Sequence, residues 1–281
     1  MTTPAAQRQV RGRMLDLTRG ALMGVLNVTP DSFYDGGRYD DAEHAWTHAM
    51  ELINDGADIL DVGGESTRPG AAPVDVDEEL RRVLPVVQRL ARETDAVISV
   101  DTRHAAVARA ALEAGAHIVN DVSALGDPAM AETIGAHGAG VVLMHMHGTP
   151  QTMQDAPLDA DEVLAAVRDF LAARVARVLD AGIARNAIAI DPGLGFGKTF
   201  AANERLIARL DELCGIGAPV VLGASRKRFI GARTGRAAGD RLAGTLAAHV
   251  LAFERGARVF RVHDVAAARD ALLMAAAILA A

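Results

Sequence analysis

Eight times along the chain, a short apolar run rich in β-branched residues ends in polar side chains and gives way to a stretch with helical spacing. The endings are Val25-Leu26-Asn27, Ile59-Leu60-Asp61, Ser99-Val100-Asp101, Val119-Asn120-Asp121, Met144-His145, Ile190-Asp191, Gly223-Ala224-Ser225 and Arg261-Val262-His263. A strand–helix unit repeated this often predicts an α/β fold, a single-domain (β/α)8 TIM barrel. Such barrels work at the C-terminal ends of their strands. The polar endings therefore double as the candidate site, gathered at one mouth.

The bulk properties agree. A chain of 281 residues suits one barrel, which typically takes about 250. A net charge of −7 argues against general nucleic-acid binding, which leaves a basic footprint. An anionic ligand then needs a local cationic cluster. The single cysteine, Cys214, cannot form an internal disulfide; it fits a reducing cytoplasm and reads as a buried thiol on a helix. The N-terminal stretch carries Arg8, Arg11 and Arg13 without the apolar segment of a signal peptide. Ala271 to Ala281 is apolar but well short of the ~20 residues that span a bilayer, so it reads as a last helix packed on the barrel or on another subunit. No membrane partner is expected.

Residues 1–20 read as a polar lead-in with a hairpin closing the barrel bottom, and 21–281 as the barrel. Strands are expected at about 21–27, 58–62, 97–101, 117–120, 140–145, 187–191, 219–224 and 258–262. Helices are expected near 41–55, 77–93, 104–114, 128–136, 159–181, 202–213, 239–255 and 265–280. The strands lack clean alternation, as parallel strands covered on both faces do. Two long Gly/Pro-containing loops, Thr29 to Asp40 and Gly63 to Val76, are the expected moving parts of the site.

Asp101, Asn120 and Asp191 close three of the strands. One carboxylate there reads equally well as a helix cap. Three carboxylate or amide groups around one mouth suit a flat heterocycle with several N–H donors, such as a 2-amino-4-oxo-pteridine, which a carboxylate can hold by two parallel bonds. Asp191-Pro192-Gly193-Leu194-Gly195-Phe196-Gly197-Lys198 resembles a nucleotide loop but fails on spacing: Pro192 and Lys198 stand where glycines are required. Its glycines read instead as a tight loop bringing backbone and Phe196 to a planar ligand, with Lys198 structural or surface exposed. Ser225-Arg226-Lys227-Arg228, with Arg261 and His263, forms a cationic corner after the seventh and eighth strands, a frequent phosphate site in this fold. His145-Met146-His147 has the spacing of a metal pair, but hydrogen bonding by His145 is the better reading. Asn27 offers the kind of amide oxygen that Mg2+ accepts.

Taken together and in order, these segments resemble the dihydropteroate synthases from about Gly24 to the final helix. The matching stretches include Gly24 to Phe33, Asp61 to Gly70, Ser99 to Thr102, Val119 to Val122, Met144-His145, Asp191 to Lys198, Ser225 to Arg228 and Arg261 to Asp264. The resemblance implies condensation of 6-hydroxymethyl-7,8-dihydropterin pyrophosphate with p-aminobenzoate, giving 7,8-dihydropteroate and pyrophosphate. It implies a pterin site of Asp101, Asn120, Met144, Asp191, Phe196, Gly223, Lys227 and Arg261. It gives the p-aminobenzoate site to Phe33, Thr67, Arg68, Pro69, Ser225 and Lys227, and pyrophosphate to Asn27, Thr67, Arg261 and His263. Asn27 would carry Mg2+, and Asp35 would help order the first loop. Asp101, Lys227, Arg261 and Asn27 are the expected catalytic residues, for an SN1-like displacement. The family also implies a cytoplasmic homodimer. The competing readings are a methyltetrahydrofolate–corrinoid methyltransferase, which has no evident use for the cationic corner, and a non-catalytic pterin-binding paralogue.

Overall fold

The computed structural model describes residues 7–28, 38–66 and 70–281. Strands β1 (Gln7–Val10) and β2 (Arg13–Asp16) pair antiparallel as a hairpin. Eight parallel strands then close a barrel: β3 (Ala21–Asn27), β4 (Ile59–Gly63), β5 (Val97–Asp101), β6 (Ile118–Asp121), β7 (Gly140–Met144), β8 (Ile188–Asp191), β9 (Val220–Leu222) and β10 (Ala257–Val262). Helices α1 (Arg38–Asn54), α2 (Val76–Glu93), α3 (Ala105–Glu113), α4 (Met130–His137) and α5 (Ala160–Asp180) follow β3 to β7 in turn.

The expected helix near 202–213 is two helices, α6 (Phe200–Ala208) and α7 (Leu210–Cys214), broken at Arg209, which leaves helical geometry at φ −122° and ψ 30°. A further helix, α8 (Arg228–Thr234), lies inside what reads as a loop and stops at Gly235, whose φ of +70° suits glycine. The last helices are α9 (Leu242–Glu254) and α10 (Val265–Ala280). Cys214 ends α7 half-buried rather than buried.

Each barrel strand sends alternate side chains to two different cores. Leu60 and Val62, Ile98 and Val100, and Phe260 and Val262 face the helices in the large outer core. Ile59, Val97 and Val259 point into the barrel, where Met23, Ile118, Val142 and Val221 join them under Val10, Leu15 and Leu17. The hairpin thus plugs the N-terminal end. By the same alternation Asn27, Asp61, Asp101, Asn120, Met144, Asp191, Gly223 and Arg261 point into the upper barrel. Asp121 has the opposite parity and takes the bland role: buried on the helix side, it accepts from Ser123 N, Ser123 Oγ and Leu125 N.

Candidate active site

Arg261 is the hub of the upper barrel. Its Nε donates to Asp61 Oδ2 at 2.6 Å and a terminal nitrogen donates to Asp101 Oδ2 at 2.8 Å. Asn120 Nδ2 donates to the same Asp61 oxygen at 3.0 Å. Register explains the meeting: Asp101 lies level with Asn120 and Gly63, and Asp61 lies level with Ser99, one inward position lower. Burial opposes the Arg261 charge, but the Asp61 and Asp101 carboxylates outweigh it and hold the guanidinium above its ordinary range. Burial pushes Asp101 up to about 7, against the pull of Arg261 and with the help of Asp61.

Across the mouth, burial also raises Asp191, while Lys227 and the Gly193 amide, which donates to Asp191 Oδ1 at 2.6 Å, oppose the shift. Lys227 is lowered to about 8 by burial, with Asp191 holding its charge and Arg261 repelling it. Its Nζ lies 4.6 Å from the centre of the Phe196 ring and donates to Leu194 O. A Cβ on Gly223 would stand 3.8 Å from Lys227 Nζ and 3.9 Å from Arg261 Cβ, so any larger side chain there would project between these two cations. Met144, 4% exposed, ends β7 level with Asp191 and walls the same side.

The Gly193–Gly197 loop has a backbone reason for its glycines. Gly193 has φ +65°, and a Cβ there would lie 1.9 Å from His145 O. Lys198 fastens this loop from beneath. It is buried, and its Nζ donates to Gly193 O and Phe196 O at 2.9 Å and to His145 Nδ1 at 2.9 Å. Burial first, then the neighbouring Lys198, lower His145 to about 3, so the ring is a neutral acceptor. His145 faces outward and meets Phe170 edge-on at 5.0 Å between ring centres. It is a strut, as its sequence reading expected, and Lys198 is structural rather than exposed.

Ser225, 7% exposed, lies beside His263: the imidazole Nδ1 is 2.9 Å from the hydroxyl, which also accepts from His263 N at 3.3 Å. Asn27 ends β3 level with Gly63; a Cβ on Gly63 would sit 3.8 Å from Asn27 Oδ1 and 3.8 Å from Asp101 Oδ2. The strand ends thus bring Asn27, Asp101, Asn120, Met144, Asp191, Phe196, Gly223, Ser225, Lys227, Arg261 and His263 to one end of the barrel. Phe33, Asp35, Thr67, Arg68 and Pro69 lie outside the described residues.

Asp61 is the residue that sequence reasoning left without a role. It is fully buried, binds both Arg261 and Asn120, and keeps Oδ1 without a hydrogen-bond partner among the described residues, as does Ser99 Oγ beside it in register. Counting back by twos from Asp101 through Ser99, and matching strands, was the signal that could have found it. The site offers carboxylate and amide acceptors beside a guanidinium and an ammonium, with Asn27 and His263 at the same strand ends. That arrangement can hold an N–H-rich heterocycle and an anionic group at once.

A model of the family described as pterin binding enzyme matches residues 23–263. The dihydropteroate synthase of Escherichia coli K12 is 46% identical over 271 residues, covering 96% of each chain. The Bacillus subtilis 168 dihydropteroate synthase is 44% identical over 245 residues, covering 87% of this chain and 83% of that one. The Xanthomonas albilineans dihydropteroate synthase solved with 4-aminobenzoic acid superposes with a TM-score of 0.92 at 49% identity, covering 100% of both chains. The same organism's enzyme in complex with 7,8-dihydropteroate gives 0.89 at 46% identity, covering 98% of this chain and 99% of that one.

Proposed function

Because this chain belongs to the pterin-binding enzyme family, as a dihydropteroate synthase, we propose a division of labour among its residues. The reaction condenses 6-hydroxymethyl-7,8-dihydropterin pyrophosphate with p-aminobenzoate, giving 7,8-dihydropteroate and pyrophosphate in folate biosynthesis.

The pterin lies in the upper barrel on Asp101, Asn120 and Asp191. Its amino and ring N–H groups donate to the carboxylates, Met144, Phe196 and the space kept by Gly223 fit its flat edges, and Lys227 donates to its acceptors. The single observation that carries this reading is Arg261 bridging Asp61 and Asp101 while Asn120 donates to the same Asp61 oxygen: these polar groups are held in place before the ligand arrives. Arg261 supplies a stacking face, and Arg261, His263 and Asn27 face the pyrophosphate. p-Aminobenzoate lies at Ser225 and Lys227, with Phe33, Thr67, Arg68 and Pro69 from the two loops.

The displacement is SN1-like. The bond from the methylene carbon to the pyrophosphate oxygen breaks first, its electron pair leaving on the oxygen. The electron-rich pterin spreads the positive charge, and Asp101 and Asp191 balance it. Arg261 and His263 neutralise the leaving group, an electrostatic task. The neutral arylamine nitrogen then forms the new bond and sheds a proton, while closed loops keep water away from the cation. Asn27 fits Mg2+ by its hard amide oxygen beside the gap left by Gly63, since Mg2+ takes few protein ligands and several substrate oxygens. When bound, the ion supplies charge neutralisation on the pyrophosphate.

Leu251, Leu273, Met274, Ile278 and Leu279 of α9 and α10 are exposed, which supports a homodimer through these helices. No described helix is long and apolar enough to cross a membrane. The lone Cys214 supports a reducing, cytoplasmic setting.

Pyrophosphate and dihydropteroate release, followed together in Mg2+ with and without p-aminobenzoate, tests the proposal. Equal yields of both products that require the amine support it. Pterin binding with no turnover would overturn it.

A further inference from the structure

The opposite end of the barrel holds a charged group that the reaction does not use. Strand β1 alternates exposed and buried residues, and its inward pair is Arg8 and Val10. Val10 belongs there, among Met23, Ile59, Val142, Val221 and Val259. Arg8 does not. It is 8% exposed, yet among the described residues its Nε has no hydrogen-bond partner, and a terminal nitrogen reaches only Arg185 O at 3.5 Å. No carboxylate pairs with it among the described residues, and residues 1–6 contain none.

Its neighbours show what a settled arginine looks like here. Arg11 donates to Leu112 O and Ala116 O, and Arg269 to Gly20 O, Gly56 O and Asp58. A guanidinium whose Nε is buried without a described partner, and which no carboxylate accompanies, gains from an anion at its terminal nitrogens. Burial lowers the Arg8 pKa, as expected for a cation with no charged partner.

Beside Arg8 lies a cavity of about 50 Å³ between the hairpin and the lower barrel, lined by Met23, Ile59, Ala189, Val221 and Val259. Its walls are apolar. An apolar cavity of ~150 Å³ admits benzene, so this one suits a tail of about two or three carbons. Half-buried Ala189 and exposed Asn186 lie on the lining, where the cavity meets solvent.

From these features we infer that the closed end of the barrel is a second ligand site, which takes a short aliphatic monocarboxylate of the propionate or butyrate kind. The carboxylate accepts from Arg8 and the alkyl tail fills the cavity. The site sits at the opposite end of the strands from the reacting groups, and does not depend on the roles assigned to them.

The test is thermal unfolding and calorimetric titration of the full chain with acetate, propionate, butyrate, hexanoate and chloride at fixed ionic strength. Propionate and butyrate are expected to bind saturably and, at ten times Kd, to raise Tm by about 3 °C. Acetate and hexanoate are expected to bind at least tenfold more weakly. Both Arg8→Met and the cavity-filling Ala189→Leu should lose the shift while retaining kcat/KM for both substrates. Without ligand, Arg8→Met should keep or raise Tm, since it removes an uncompensated cation. A drop of several degrees would make Arg8 a structural strut and overturn the inference. So would equal shifts in the wild type and Arg8→Met, no saturable binding, or chloride acting as well as butyrate.

Discussion

The two ends of this barrel are built from the same strands and differ in almost everything else. At the lower end Met23, Ile59, Val97, Val142, Val221 and Val259 meet in an apolar layer beneath the hairpin. At the upper end, mostly two or four residues further along, stand Asn27, Asp61, Asp101, Met144, Gly223 and Arg261. The lower layer is built for stability. The upper layer gathers three carboxylates, Asp61, Asp101 and Asp191, and two cations, Arg261 and Lys227, an arrangement that costs folding energy. One parity rule places both, so a change of one pleat period separates a packing residue from a chemical one.

Mutations at the two ends should therefore separate activity from stability. The largest effect is expected from Arg261→Met, which leaves Asp61 and Asp101 buried without their shared cation. Steady-state kinetics should show kcat/KM down by about 10³-fold, and denaturant unfolding a loss of about 3 kcal/mol. It touches both quantities because Arg261 joins the ligand face to the barrel wall. Ile59→Ala, one pleat below Asp61, should instead cost about 2–5 kcal/mol of stability with kcat/KM of the folded fraction kept within about threefold. Comparable activity losses in the two variants would erase the distinction.

Asp61→Asn sharpens it. Asp61 acts through Arg261 and Asn120, so it is a positioning residue. Its loss should weaken pterin binding about tenfold and leave the KM for p-aminobenzoate unchanged, measured by varying each substrate at saturation of the other. A rise in both KM values would make Asp61 merely structural.

The pH profile is the subtlest probe. Burial raises Asp101 to about 7 and lowers Lys227 to about 8 in the free protein. The proposed pterin site uses the Asp101 carboxylate and the Lys227 ammonium, and on that proposal kcat/KM for the pterin substrate should fall below about 7 and above about 8. The alkaline limb should move upward in Lys227→Arg, whose guanidinium stays charged. A flat profile across both values would contradict these roles.

The barrel was legible because parallel strands and helices impose distinct, repeated patterns, and strand endings mark the working mouth. Asp101, Asn120 and Asp191 announce themselves as polar residues where apolar runs stop. Asp61 reads as one more polar strand ending, but its partners do not follow from that; only register shows it level with Ser99, one inward position below Asp101. Lys198 looked like a loop cation, and only the fold supplies the carbonyls that receive it. The break at Arg209 and helix α8 leave little periodic signal, since both helices are short and held by packing rather than by their own pattern.

The most direct measurement is the Kd of 6-hydroxymethyl-7,8-dihydropterin pyrophosphate for Asp101→Asn without p-aminobenzoate, taken alongside Tm. A loss of a charge-assisted bond at the upper layer predicts binding about 100-fold weaker with Tm held or raised. Binding within about threefold of wild type, or a collapse of Tm instead, would place the pterin elsewhere and contradict the separation of the two ends.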